Sequence, residues 1–445
     1  MSDQAGGPLL AGTGRVDITP PSGIELFGYH RPEPMRGVHD PLSVTALALA
    51  PAGSPPLLIL ALDHIGTGRR EGRELRRQIG QAAGTSPERV FLCFSHTHSG
   101  PDSERLDTYG VERPIDSIAR SYARELHQRA VEASRLALAN LRPARIGSAE
   151  VDCNASVNRR VRDSDGIVRH HGANPDGPVD RRMPVLWIEG LDGRPLASVV
   201  HFGIHGTALL WDNLDASADV AGALRTVVEP ATGAPCLFLQ GAAGDQNPRW
   251  RGDETALRRT GWELGGAALR GLAQASANLD DRPVVRSGTE LADLPLRSLP
   301  DEADAIARAE EAERSWNAPA GAWLRIVRDR IARSETAVRV PIELAGFRLG
   351  SFLRIGAPLE PFAALSLAFR ERLGPAAGSV HACLGGYTNG VAGYLPPAEE
   401  LSAGGYEIEW MPAIYGWLDG WLMPPVAETA DILVEVAVRL ARRLL

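Results

Sequence analysis

Val90-Phe91-Leu92-Cys93-Phe94-Ser95-His96-Thr97-His98-Ser99-Gly100-Pro101 joins a continuously apolar run to a polar loop holding two histidines. A short apolar run bounded by turn residues reads as a buried strand. The segment from Ser95 to Pro101 therefore lies where a strand ends and the chain becomes irregular. On extended backbone His96 and His98 point to the same side. Neutral imidazole is a common zinc ligand, and the Gly100-Pro101 turn lets the backbone approach a site closely. The same histidines could instead serve only to hydrogen-bond the loop, and the loop by itself leaves both readings open.

Three further strand-end loops follow the same pattern. The run from Leu196 to His201 leads into Phe202-Gly203-Ile204-His205-Gly206-Thr207. His201 lies inside that strand and reads as a satisfied core histidine, whereas His205, at its end, reads as a ligand. The run from Cys236 to Gln240 leads into Gly241-Ala242-Ala243-Gly244-Asp245-Gln246-Asn247-Pro248. This loop lacks the Lys-Ser/Thr ending of a phosphate-binding P-loop. Asp245 could orient a metal-bound imidazole or simply fasten a turn. Glu360, after the run from Ser351 to Gly356, could be a ligand or an acid placed at a helix start by the dipole. A Gly-rich stretch then carries Tyr387, Asn389, Tyr394, Tyr406 and Glu407, whose hydroxyls suit either substrate contact or loop anchoring.

Between these strands, including Leu57 to Leu62, lie helical patterns from Arg70 to Ala83, Ile115 to Leu141, Ser217 to Val228, Glu254 to Ala277 and Pro425 to Leu445. Strand and helix alternate, so the fold class is α/β, with mixed β-sheets flanked by helices. The stretch from Val338 to Ile355 alternates around Gly346 and predicts an antiparallel pair, attached to the main sheet or forming a second one. The charged segment 301–334, broken at Asn317, predicts a surface helical hairpin or cap. With neither repeat nor linker, residues 1–445 read as one large catalytic domain.

The 445 residues are 44% hydrophobic and 23% charged, enough to bury a sizeable core. A net charge of −8 argues against nucleic-acid partners. The abundance of Arg, Ala and Gly reads as the bias of a GC-rich, bacterial-type genome. Cys93, Cys153, Cys236 and Cys383 form no CxxC pair and read as buried free thiols. Residues 1–10 lack a signal-peptide pattern, and prolines interrupt the apolar segment from Val44 to Leu62. These features lead to the expectation of a cytoplasmic protein acting on a small molecule, without integral membrane association. Oligomeric state is left open.

Taken in order, these loops resemble the catalytic domain of the neutral, or alkaline non-lysosomal, ceramidases. Gly14-Arg15-Val16-Asp17-Ile18-Thr19-Pro20-Pro21, Gly28-Tyr29 and Gly37-Val38-His39-Asp40-Pro41 extend the resemblance toward the start, so that it runs from about residue 10 to residue 420. The resemblance implies a single zinc ion held by His96, His205, Glu360 and Tyr394, with Tyr394 favoured over Tyr387 by its spacing from Asn389. It implies that His98, Arg159 and Tyr406 contact the substrate. Zinc would then ready a water for attack on an acyl carbon, breaking a C–N amide bond.

The chain departs from the family pattern in ending without a C-terminal immunoglobulin-like domain and in lacking an export signal. Leu359 stands where the family usually has Gly, and Asp102 in Ser99-Gly100-Pro101-Asp102-Ser103 replaces a Gly-rich continuation. Asp102 suits a polar or amine-bearing substrate better than an acyl tail. Two other readings stand beside the zinc amidohydrolase. One is an intracellular enzyme running the reverse chemistry, amide formation or cyclisation; the other is a non-catalytic, metal-stabilised binding protein.

Overall fold

A computed structural model describes residues 8–101, 117–317 and 320–445. Two sheets lie face to face through one apolar layer, in which Leu47, Ile59, Phe91, Leu186 and Leu237 of the larger sheet meet Phe347, Leu349 and Phe352 of the smaller. The larger sheet has eight strands in the order Cys236–Gln240, Pro195–Phe202, Arg182–Gly190, Arg142–Asp152, Leu9–Asp17, Ser43–Pro51, Leu57–Leu62 and Val90–Phe94. Its centre is antiparallel and its two edge pairs are parallel. The smaller sheet orders Val285–Leu296, Val338–Leu349, Phe352–Gly356 and His381–Gly385, and its last pair is again parallel.

Helices Arg69–Ala83 and Ser117–Ala139 cover one half of the larger sheet's outer face. Asp219–Thr232 and Glu254–Ala275 cover the other half. The smaller sheet is backed by Ala363–Leu373, Thr429–Leu444 and the pair Glu302–Trp316 and Gly321–Ala332. Four layers result, helix, sheet, sheet, helix, so both sheets are covered on both faces. Strands such as Leu57–Leu62 and Val90–Phe94 are buried along their whole length, which explains why they read as continuous apolar runs rather than alternating ones.

The α/β class and mixed sheets expected from the sequence are present. The antiparallel pair near Gly346 turns elsewhere: Gly346 lies mid-strand opposite Ile355, and the reversal falls at Gly350, whose φ of 58° suits glycine. The segment expected to be a surface helical hairpin or cap is a pair of helices, one of whose residues, Trp323, is fully buried with its indole N–H donating to Leu422 O at 2.8 Å. All four cysteines are buried and free. Among the described residues no helix is long and apolar enough to cross a membrane.

The three parallel pairs bring their C-terminal ends to one place. Gln240 donates from Nε2 to Ser95 O at 2.9 Å and to Ile204 O at 2.6 Å, joining the ends of the two edge pairs of the larger sheet. The smaller sheet is tied in by Phe94 N–H to Tyr387 O at 3.0 Å and Gly386 N–H to Gly241 O at 3.1 Å. Buried Arg354 bridges the same junction, donating to Gln240 O and to Thr388 Oγ1, each at 2.9 Å. Carboxyl ends of parallel strands are where α/β proteins place their ligand crevices, and here three sets meet.

Candidate metal centre

His96 and His98 reach His205 because their loops run side by side. Thr97 pairs with Gly206 as a parallel bridge, and His98 N–H donates to Gly206 O at 2.9 Å. The His96 ring lies 4.7 Å from that of His205, and His98 lies 5.4 Å from it. Ring nitrogens of all three lie within 4.8 Å of one another. The two flanking imidazoles are oriented alike: His96 Nδ1 meets Ile65 O at 2.6 Å and His205 Nδ1 meets Ala243 O at 2.7 Å. A carbonyl can only accept, so each Nδ1 carries a proton, and each Nε2 is the nitrogen left to face the site.

Both Nε2 atoms face Glu360. His96 Nε2 lies 3.2 Å and His205 Nε2 3.6 Å from Glu360 Oε2. His205 Nε2 is buried and has no hydrogen-bond partner. Glu360 opens a two-residue strand that pairs in parallel with Tyr394-Leu395, placing Glu360 directly beside Tyr394. Burial pushes the Glu360 carboxyl up, but His96, the Tyr415 hydroxyl and Arg159 outweigh it and hold it below the usual carboxylate range. Burial drives His205 well below the ordinary imidazole range, helped by Arg159, His96 and His98. Two imidazole Nε2 atoms gathered around one carboxylate oxygen are compatible with a cation site by donor chemistry.

Three tyrosines surround the carboxylate, and they do different things. Tyr387 donates to Glu360 Oε2 at 3.2 Å and Tyr415 to Oε1 at 2.6 Å. Tyr394 stacks nearly parallel to His205, 6.4 Å between ring centres, and its hydroxyl accepts from Arg159 Nη2 at 3.1 Å. Tyr394, expected as a ligand, thus stands beside Glu360 in register with its oxygen turned to a guanidinium, whereas Tyr387 and Tyr415 hold the carboxylate itself. Tyr415 was not singled out in the sequence: it sits past the short helix Met411–Ile414, and no motif spacing links it to Glu360.

His98, expected beside the reacting centre, has both ring nitrogens buried without a partner. Burial, then His96, Arg159, Arg31 and Arg251, hold it well below the imidazole range, so it is neutral near pH 7. Its position depends on Gly28, where an added Cβ would fall 2.5 Å from His98 Cγ. Arg159 lies in the wall, donating from Nε to Glu407 Oε1 at 2.9 Å. Glu407 also receives Arg160 Nη1 at 2.7 Å and lies 2.9 Å from His171 Nε2. Tyr406, next to it, is half-buried, its ring 6.0 Å from Tyr394 and 4.9 Å from Trp316 at the end of the helical pair.

Asp245 touches no imidazole. It accepts from Asn158 Nδ2, Gln246 Nε2 and Ala363 N–H, so it fastens the Glu360 turn to the strand before Arg159. The task of orienting the histidines belongs to backbone carbonyls instead. His201 is buried and receives Arg354 Nε at 3.4 Å, a core histidine as expected. Asp102 and Ser103 lie outside the described residues.

No family model matches the chain. Neutral ceramidase A of Dictyostelium discoideum is 26% identical over 265 residues, covering 54% of this chain and 36% of that protein. Neutral ceramidase B of the same organism is 27% identical over 180 residues, covering 37% of this chain and 24% of that protein. The matched stretches thus span about a third and a quarter of these relatives. Among solved structures, neutral ceramidase from Pseudomonas aeruginosa superposes with a TM-score of 0.71 at 19% identity, covering 98% of this chain and 75% of that one. A structure described as ceramidase complexed with C2 gives a TM-score of 0.72 at 18% identity over the same shares. Shared fold over nearly the whole chain and sequence similarity over about half of it give one conclusion: the chain has a neutral-ceramidase-like fold.

Proposed function

We propose that this chain is a zinc-dependent hydrolase of a carbon–nitrogen amide bond in a small or N-acylated substrate. The observation that carries the proposal is the pair of Nε2 atoms of His96 and His205, both turned to Glu360 Oε2, with His205 Nε2 buried and unpartnered. A buried acceptor left unpaired costs about 1–3 kcal/mol, and a cation would recover it. His96, His205 and Glu360 would hold the ion, with Tyr394 as the fourth ligand that the resemblance supplies. When bound, zinc supplies a Lewis acid that polarises the amide carbonyl and brings the pKa of a water to about 7.

The remaining work falls to side chains of this chain. Glu360, held as a carboxylate and steadied by Tyr387 and Tyr415, would supply the negative charge of the ligand set. His98, neutral with two unpaired nitrogens, carries one N–H that can donate to the developing oxyanion or help protonate the departing nitrogen. Burial raises the Tyr406 phenol, so it stays protonated and can donate toward the same centre. Arg159, fixed between Glu407 and Tyr394, orients the substrate.

Zinc analysis with an assay of N-acyl amines, products detected by mass, tests this. Chelation should abolish hydrolysis, and one equivalent of zinc should restore it; undiminished turnover after complete removal of metal would refute the proposal. Gly28→Ala should push His98 off its position and lower kcat/KM about tenfold, an effect of roughly 1.4 kcal/mol, with zinc content unchanged. Equal kcat/KM in that variant would remove His98 from the reaction.

A further inference from the structure

The chain carries a net charge of −8, yet the wall beside His98 is cationic. Tyr29 stands edge-on to His98, 5.0 Å between ring centres. Arg251 Nη2 donates to the Tyr29 hydroxyl at 3.1 Å, and the Arg31 guanidinium lies over the Tyr29 ring at 5.3 Å. Arg31 spends its donors on backbone oxygens: Asn213 O and His98 O, each at 2.8 Å, and Phe27 O at 3.4 Å. Arg251 binds Thr207 O through Nε at 2.9 Å. Neither guanidinium has a carboxylate partner among the described residues. A guanidinium carries five N–H donors, so Arg251, with Nε and one Nη2 bond used, still offers both N–H groups of Nη1. It is half-buried, and Nη1 is not sealed from solvent.

Among the described residues, the fields of Asp212 and Asp219 reach Arg31, but neither carboxylate bonds to either guanidinium. The fields of Arg31, Arg251 and Arg159 all reach His98, and those of Arg159 and Arg251 both reach His171 across the site. Arg159 shares Glu407 with Arg160 and His171, and Arg160 also holds Glu400 at 2.8 Å. Asp219 is buried, and its oxygens are taken by the N–H groups of Ala208, Leu209 and Val220; burial also pushes it up to about 6. A pocket built to take a purely apolar acyl chain and a neutral amide would have to desolvate these guanidiniums without return. Arg is the side chain suited to planar carboxylates, which it can grip with two parallel bonds.

We propose that Arg251, with Arg31 behind Tyr29, binds a carboxylate carried by the substrate, so that the amide this site cleaves belongs to an N-acylated amino acid or similar amide-linked acid. This deepens the amide-hydrolase proposal and rests on it for the cleaved bond, but the anion subsite stands on its own geometry. The hydrolysis balances with water alone: water adds to the acyl carbon, the C–N bond breaks, and the proton goes to the departing amine.

Equilibrium binding to the zinc-loaded protein tests the subsite, with hexanoylglycine against its uncharged analogue hexanoylglycinamide. The acid should bind at least about tenfold more tightly, the scale of a charge-assisted hydrogen bond. In Arg251→Met that ratio should fall toward one, and Arg251→Lys should recover only part of it; thermal unfolding checks that both variants fold. A carboxylate gripped by the metal alone would keep its advantage in Arg251→Met, and that result, or equal binding of both ligands to the wild type, overturns the proposal. Turnover of the same pair separates the two claims. Preferential binding of the acid without cleavage of either ligand sinks the hydrolase and leaves the subsite; equal cleavage of both sinks the subsite and leaves the hydrolase.

Discussion

His205→Ala should lose its zinc and at least about a thousandfold in kcat/KM. Lewis-acid stabilisation is worth several kcal/mol, and about 4 kcal/mol corresponds to that factor. The geometry explains why one imidazole matters so much. The His205 Nδ1–H is committed to Ala243 O, so Nε2 has no function within the protein fold and no partner there. Removing the ring leaves His96 and Glu360 as an incomplete set. Because His205 is fully buried, the variant will also leave a void, and loss of activity alone would not separate the two causes. His201→Gln supplies the control: His201 is also buried, lies in the strand Pro195–Phe202 that leads into the His205 loop, and pairs with Arg354 rather than Glu360. It should lose stability while keeping zinc. Metal analysis of both proteins decides; if His205→Ala keeps a full equivalent of zinc, or His201→Gln loses it, the ligand assignment fails.

Glu407→Gln should be among the most destabilising single changes, by about 3–5 kcal/mol, the scale for breaking a buried ion pair from one side. Glu407 is fully buried, and its two oxygens serve Arg159, Arg160 and His171. Glutamine keeps the shape but turns a donor group toward a guanidinium, leaving both arginines short of negative charge. The pH dependence follows from the direction of its shift. Burial pushes the Glu407 carboxyl up, yet His171, Arg159 and Arg160 hold it well below the ordinary range. A carboxyl depressed in the folded state contributes stability above its unfolded pKa, about 4.3, and that contribution is lost as pH falls through the folded value. Denaturant unfolding should therefore show a steeper loss below about pH 4.3 in the wild type than in the variant; parallel curves would mean that Glu407 contributes no such linkage. Since Arg159 also holds the Tyr394 hydroxyl, the variant should lower activity under conditions where it remains folded.

Which parts of this were legible beforehand follows from how the chain writes each feature. His96, His98, His205 and Glu360 were readable because each comes right after an apolar run, so the strand end and the ligand-type residue are adjacent in sequence. Their convergence was not, because it depends on contacts such as Thr97 with Gly206 and Gln240 with Ser95, which no local pattern records. The long antiparallel strands Leu9–Asp17, Arg142–Asp152 and Arg182–Gly190 escaped notice. Arg182–Gly190 is buried on both faces, which removes the alternation that marks a half-exposed strand. The other two do alternate in burial, but many of their buried positions are Gly or Ala, such as Gly12, Gly14, Ala144 and Ala149, which carry little apolar signal. The segment from Val44 to Leu62 held two strands, Ser43–Pro51 and Leu57–Leu62, parted by Pro55 and Pro56 at the turn. Tyr415 and the grip of Glu407 on two arginines were invisible for a different reason: each acts across more than fifty residues of sequence, through side chains that elsewhere would be ordinary surface polarity or aromatic core.

The most direct test is the zinc-edge anomalous signal from crystals of the zinc-loaded protein. The account predicts a single strong peak at bonding distance, about 2.0–2.2 Å, from His96 Nε2, His205 Nε2 and a Glu360 oxygen, with the fourth protein contact falling to Tyr394 and with His98 beyond bonding distance. A peak bound by His98 in place of Glu360, or a metal seated away from these side chains, would contradict it.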